Sequence, residues 1–297
     1  MRVVTVYNNK GGVGKSLVAL LLADYFSSGA VTFRQRAMRV LVLDFDAQAS
    51  TATALLGQAA VEAARRADHG LASLVRRLEG RGGPDPRGDV RERPAAVTDS
   101  RRIPLGRLWV VVPEREGIIE LERERDARAV PGIARRLRAA FDEHFDIALV
   151  DLPANIDRRN TLAMAGLAMA DVLVIPTEPT RVSLNALGDT VANVDYARGL
   201  GRGEARGRSF AAGILLNKTD RRTRQYRLHH GELEGFARRH RMRLFRHFLP
   251  TAPALATASD DTLSFSTLRE RYDTYYDNVR RVAVEAADMA GFVIRRG

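Results

Sequence analysis

The sequence predicts an α/β fold, a doubly wound and mainly parallel sheet with helices on both faces. Three observations predict it. Short aliphatic and β-branched runs alternate with helical periodicities along most of the chain. The runs are continuously apolar, as strands covered on both faces must be. The first of them leads straight into Lys10–Ser16, KGGVGKS, which in turn opens a helical pattern. Strand, glycine loop, lysine and hydroxyl, then helix is the context of a phosphate-binding loop.

Val3, Val4, Val6 and Tyr7 make the first strand, 3–7, and the apolar stretch Leu17 to Phe26 makes a helix over 17–27. Further strands are predicted at 40–45, 108–112, 147–151, 172–176 and 211–216, each short and rich in Val, Ile or Leu. Helical spacing of apolar residues falls at 117–126, 131–143, 160–169, 183–197 and 226–240. The stretch Leu268 to Gly291 reads as one long helix. Two stretches interrupt the alternation: 80–105, rich in Arg, Gly, Pro and Asp, predicts a flexible surface loop, and Gly199 to Gly207 a linker. A single domain over 1–297 is the economical division.

Composition narrows the function classes. The chain has 297 residues, 45% of them apolar, and carries a net charge of +11. No apolar run reaches the roughly 18 residues of a membrane span. The chain enters a strand at once, which leaves no room for a signal peptide, and a cytoplasmic protein is expected. It has no cysteine, which excludes disulfides, thiolate zinc sites and iron–sulfur clusters. Thirteen arginines and Lys218 lie between Arg198 and His247 against four acids, so nearly all the surplus charge is local. Such a patch attracts a polyphosphate backbone without reading its sequence.

Only Lys10, Lys15 and Lys218 are lysine among 47 basic residues. A compact ammonium suits a tight phosphate cradle where a planar guanidinium does not. Lys10, Gly11, Gly12, Val13, Gly14, Lys15, Ser16 and Leu17 form the candidate nucleotide loop, with inward N–H groups and a helix N-terminus. Lys15 would lie along the outer phosphates and Ser16 would ligate Mg²⁺. The usual motif has glycine where this chain has Asn9, and Lys10 stands at the loop entrance instead. Asp44 and Asp46, at i and i+2 on a strand, would share one side, to hold Mg²⁺ through water and orient an attacking water. Asp151 ends an apolar strand as a Walker B-like carboxylate. Asn217-Lys218-Thr219-Asp220 ends another; Asn217 would bond a purine edge and Lys218 would cover a base, with the identity of the base left open.

The ordered set KGGVGKS, DFDAQ, VDLPA, the segment from Asn160 to Pro176, and LLNKTD resembles the ParA/MinD family of deviant Walker A ATPases, most closely ParA-type partition ATPases. The resemblance spans nearly the whole chain. It implies ATP and Mg²⁺ as cofactors and a homodimer formed on ATP binding, in which Lys10 reaches the partner subunit's phosphates. It implies that Asp46 positions the hydrolytic water, that Asp151 supports Mg²⁺, that Asn217 contacts adenine, and that Pro250 and Thr251 lie near the base. Lys10, Lys15 and Asp46 are then the catalytic set. It also implies a stimulatory ParB-like adaptor and a nucleoid-associated location. Ala47 and Ala154 stand where the family commonly has proline, and Ser27 to Arg39 is longer than usual.

No segment precedes the first strand to carry a helix-turn-helix domain, so DNA contact is expected to be non-specific. Arg221, Arg222, Arg224, Arg269, Arg271, Arg280 and Arg281 are the candidate DNA-binding residues. His229 and His230 are adjacent on a helix and cannot both face one metal. Two rivals are a MinD-like membrane positioner, using an amphipathic tail at 289–297, and a ParA-like positioner of a protein cargo.

Overall fold

A computed structural model describes residues 1–80, 83, 88–93, 97–99, 106–200, 209–260, 262 and 265–294. The chain runs β1 (Arg2–Val6), α1 (Lys15–Ser27), β2 (Val31–Phe33), β3 (Arg36–Ala37), β4 (Arg39–Asp44), α2 (Ser50–Leu56), α3 (Gln58–Arg66) and α4 (Leu71–Glu79). It continues through β5 (Arg91–Glu92), β6 (Arg107–Val111), α5 (Arg115–Glu124), α6 (Val130–Phe141), β7 (Ile147–Asp151), α7 (Thr161–Ala168), β8 (Val172–Thr177) and α8 (Arg181–Leu200). The last elements are β9 (Ala211–Leu216), α9 (Arg224–Arg239), β10 (Arg243–Leu244), α10 (Pro253–Thr257), α11 (Leu268–Tyr272), α12 (Tyr276–Met289) and β11 (Val293–Ile294).

Eight strands form one sheet in the order β10-β9-β8-β1-β7-β4-β6-β5, parallel except for β5 at the edge. Side chains alternate between its faces. Val4, Val6, Val40 and Val42 pack with α1 and α12, while Val3, Leu41, Leu43 and Val150 pack with α4, α6 and α7. Helix α1 is apolar all round because it is buried: eleven of its thirteen residues are shielded from solvent. The chain leaves β1 through α1 and returns at β4, which pairs with β7 rather than β1. That detour puts the C-terminal ends of β1, β4 and β7 around one crevice, where open α/β sheets bind ligands.

The six predicted strands and five of the predicted helices are present within about two residues of their expected bounds. Three expectations need correction. The stretch 268–291 is not one helix. Thr267 caps α11 with a capping box, Asp273 takes a left-handed φ of 46°, and the chain restarts as α12. The stretch 80–105 is not loop throughout: Arg91–Glu92 adds an antiparallel edge strand, Asp89 is buried and Val97 is 2% exposed, whereas Gly83 is exposed. Its remaining residues, and most of the 199–207 linker, lie outside the described residues. Finally, 289–297 is no amphipathic helix over its described part. Phe292 is buried, and Val293 and Ile294 pair with Thr32 and Val31.

That pairing builds a small second sheet, β11-β2-β3, from the extra residues between α1 and β4. Its hairpin turns at Arg34 and Gln35, both left-handed at φ 49° and 64°. The edge of Phe33 meets Phe292 at 6.0 Å between ring centroids. Among the described residues no helix is long and apolar enough to cross a membrane.

Candidate nucleotide site

The loop after β1 turns through Gly12 and Gly14, with φ of 76° and 85°, a backbone that disfavours any side chain. Gly14 is also pressed from outside: a Cβ there would collide with the Asn217 amide. Gly14 is the N-cap of α1, and its carbonyl accepts from Val18 N at 3.0 Å. The loop is pinned from three sides. Asn217 Nδ2 donates to Val13 O at 2.7 Å, Lys218 Nζ donates to Gly12 O at 2.6 Å, and Asn8 Oδ1 accepts Lys10 N at 2.9 Å. The strand-end Asn-Lys pair therefore braces the phosphate loop with the same side chains the sequence assigned to a base. Leu249 O accepts Thr219 N, and Leu249 N donates to Leu216 O, which sets Pro250 and the exposed Thr251 beside that strand end.

Lys15 is 7% exposed and donates to Lys10 O at 3.2 Å. Burial pulls its ammonium below the usual lysine range, and Asp151 and Asp46 oppose the shift. Ser16 and Leu17, half-buried, complete the first turn of α1. Lys10 Nζ donates to Ser183 Oγ in the first turn of α8 at 2.9 Å.

The carboxylates sort by burial. Asp44 and Asp151 are fully buried and occupy adjacent register positions on β4 and β7. Burial first, then the neighbouring Asp151 charge, pushes Asp44 well above the carboxylate range. Burial likewise pushes Asp151 up to about 6, against the opposing effect of the Thr51 and Ser16 hydroxyls beside it. Thr51 Oγ1 donates to Asp151 Oδ2 at 2.6 Å, whereas Asp151 Oδ1 is buried without a hydrogen-bond partner. Asp46 departs from expectation. Strand β4 stops at Asp44, so Asp46 lies in the following turn, half-buried, with its N–H on Asp44 Oδ1 and its own Oδ1 accepting from Gln48 N.

Sequence reasoning passed over Thr51, Ser183 and Glu178. Thr51 follows DFDAQ closely enough to have been suspected; Glu178 sits in the turn after β8 and Ser183 in the first turn of α8, neither in a motif.

The arginine candidates divide. Arg271 is 4% exposed, donates to Ala258 O and pairs with buried Asp24 at 3.3 Å; it is a structural cation, and its assignment to DNA fails. Arg221, Arg222, Arg224, Arg269, Arg280 and Arg281 are exposed. Arg221 donates to Arg246 O and lies over the Phe248 ring. From α12, Asn278 donates to Phe248 O and Glu285 accepts Arg246 N and His247 N. The turn before α9, the 246–248 segment and α12 are thereby joined. Neither His229 nor His230 belongs to a metal-holding cluster, and among the described residues there is none.

Residues 1–77 match the family model described as AAA domain. No curated protein matches the chain. Among solved structures, a Cyanothece McdA variant in complex with ATP is 16% identical, covers 100% of this chain and 99% of its own, and superposes with a TM-score of 0.67. The ParA of pNOB8 bound to nonspecific DNA is 16% identical over 96% and 99%, TM-score 0.61. Cobyrinic acid a,c-diamide synthase of Mycobacterium smegmatis, with ADP and magnesium, is 17% identical over 100% of both chains, TM-score 0.61. The chain shares its fold over the whole length with these structures, and its ordered motifs and N-terminal match make it similar to ParA/MinD-type P-loop proteins.

Proposed function

We propose that this chain is an ATP-hydrolysing switch that pairs with a second copy on ATP, holds DNA without reading its sequence, and is released by an adaptor that stimulates hydrolysis. The observation that carries the nucleotide half is the orphaned Asp151 Oδ1, buried beside Ser16 and Thr51 below the loop. A buried carboxylate oxygen with no donor is costly unless something positive meets it. A hydroxyl and a carboxylate, with no all-protein cluster, is the donor set of Mg²⁺ that is otherwise ligated by phosphates and water. Ser16 and Asp151 would hold it, with Asp44 behind them. When bound, Mg²⁺ neutralises phosphate charge. McdA solved with ATP and the synthase solved with ADP and magnesium support the same ligands here.

The chain's own groups supply the rest. Gly12 and Gly14 let backbone N–H groups turn toward phosphate oxygens, and Lys15 adds a buried positive charge that water does not screen. Asp46, outside the strand and less buried than Asp44 and Asp151, would orient a water. Lys10 supplies the charge that crosses to the second copy. Asn217 and Lys218 couple the base region to the loop through Val13 O and Gly12 O.

The DNA half is supported by the exposed arginines of the turn before α9, of the 246–248 segment and of α12, which contacts through Arg246 join, and by the pNOB8 ParA structure with nonspecific DNA. Pairing doubles such a surface and strengthens attachment by multivalency. The membrane alternative is disfavoured by the Val293–Ile294 strand, which ties the tail to β2. A gel shift on random duplex DNA tests the proposal: retention should require ATP, fail with ADP, and weaken steeply with salt. Absence of binding at low salt with ATP would remove the DNA half.

A further inference from the structure

Two of the chain's three lysines meet at one carboxylate. Glu178 follows β8 directly, in the turn that leads to α8, and its side chain is 22% exposed. Its Oε2 lies 3.7 Å from Lys10 Nζ and its Oε1 lies 3.7 Å from Lys218 Nζ. Each lysine has a second, shorter contact: Lys10 with Ser183 Oγ at 2.9 Å, Lys218 with Gly12 O at 2.6 Å. Thr180 Oγ1 donates to the same Ser183 Oγ at 2.9 Å and fixes the hydroxyl that receives Lys10. The ammonium that the proposed function sends to another subunit is thus held inside its own.

From this geometry we infer that Glu178 and Ser183 form a berth that holds Lys10 in cis and competes with its engagement of a second subunit. The inference rests on the proposed role of Lys10 across the dimer. Lys10 cannot lie over Ser183 and reach another chain's phosphates at once. A ligand that favours one position does so by its differential affinity, so contacts that stabilise the berth weaken dimerisation, once for each of the two Lys10 side chains released. Sharing makes the exchange cheap. When Lys10 leaves, Glu178 keeps Lys218 and is not stranded as an unpaired, three-quarters-buried charge. Lys218 in turn keeps Gly12 O, so the loop remains braced during the exchange. Glu178 therefore acts as a positioning residue that sets where Lys10 points and adjusts the ATP level at which subunits pair.

The test is the dimer dissociation constant with the ATP analogue AMPPNP, measured by sedimentation for wild type, Glu178→Gln, Ser183→Ala and Lys10→Ala. Glu178→Gln and Ser183→Ala should each dimerise at about two- to fivefold lower concentration, the fold-change of two partly exposed ion pairs, one per subunit. A gain of affinity is not what structural damage produces, and Ser183→Ala stands in should Glu178→Gln fail to fold. Adding Glu178→Gln to Lys10→Ala should change nothing. If Lys10→Ala cannot dimerise while both berth variants pair no more tightly than wild type, the berth is overturned and the bridging role of Lys10 survives. If Lys10→Ala dimerises like wild type, the bridging role itself falls, and the berth with it.

Discussion

Asp151 carries opposed demands in a single side chain. Its carboxyl is raised to about 6 in the folded protein, above the unfolded value of about 3.9. Between those values the folded state binds more protons than the unfolded state. Stability therefore falls as pH rises through that window, and the penalty is full above about 6. Asp151→Asn removes the buried charge and should raise the nucleotide-free melting temperature at pH 7.5 by about 2–6 °C, with the gain shrinking toward pH 4. The same change should abolish Mg²⁺-dependent ATP turnover, a trade between stability and function. Scanning calorimetry at the two pH values checks the first half. A pH-independent shift would show that the charge is not its source.

Arginines separate just as sharply once burial is known. Arg93 pairs with Asp24 Oδ1 and Arg271 with Asp24 Oδ2, which also accepts the buried Tyr272 hydroxyl at 2.7 Å. Arg271→Ala should cost about 3 kcal/mol in denaturant unfolding and leave the DNA affinity of the folded fraction unchanged. Arg246→Ala should do the reverse, leaving stability within about 0.5 kcal/mol and lowering the salt slope of DNA binding by about one. Charge counting placed Arg271 with the DNA candidates because a sequence does not reveal which guanidinium a buried aspartate has claimed. Glu178 was invisible for a related reason: its meaning lies in two lysines far from it in sequence.

At the scale of elements, strands were legible where burial on both faces enforces a continuous apolar run, as in Ile147–Asp151 and Ala211–Leu216. The β2–β3 hairpin was not, because its turn is Arg34-Gln35, with none of the Asn or Gly that left-handed turns favour. The break before α12 escaped notice for the same reason, since Asp273 adopts a conformation that apolar periodicity does not encode. Strand β11 was hidden by its length of two residues, yet it decides what the tail does. Truncation after Phe292 should lower stability by about 1 kcal/mol through loss of the β11 pairing with β2. Full-length and truncated proteins should sediment equally poorly with anionic vesicles. Loss of vesicle binding on truncation would restore the membrane reading.

For the molecule as a whole, the nucleotide crevice could be expected from the sequence because loop, acids and Asn217 each end a strand of one parallel sheet, and parallel strands end on one edge. The fold alone says less about purpose: McdA, a ParA and an amide-forming synthase share it with this chain. What sets a direction is charge concentrated in one region, and a second lysine at a loop that needs only one. Both enter the central claim, that ATP joins two copies through Lys10. Sedimentation velocity of Asp46→Ala, in which turnover should fall at least about 100-fold with binding intact, tests it most directly. The account predicts a dimer with ATP and a monomer with ADP, and a monomer in both when Lys10→Ala is added. A monomer with ATP in Asp46→Ala itself, at concentrations where ATP is shown to be bound, would contradict it.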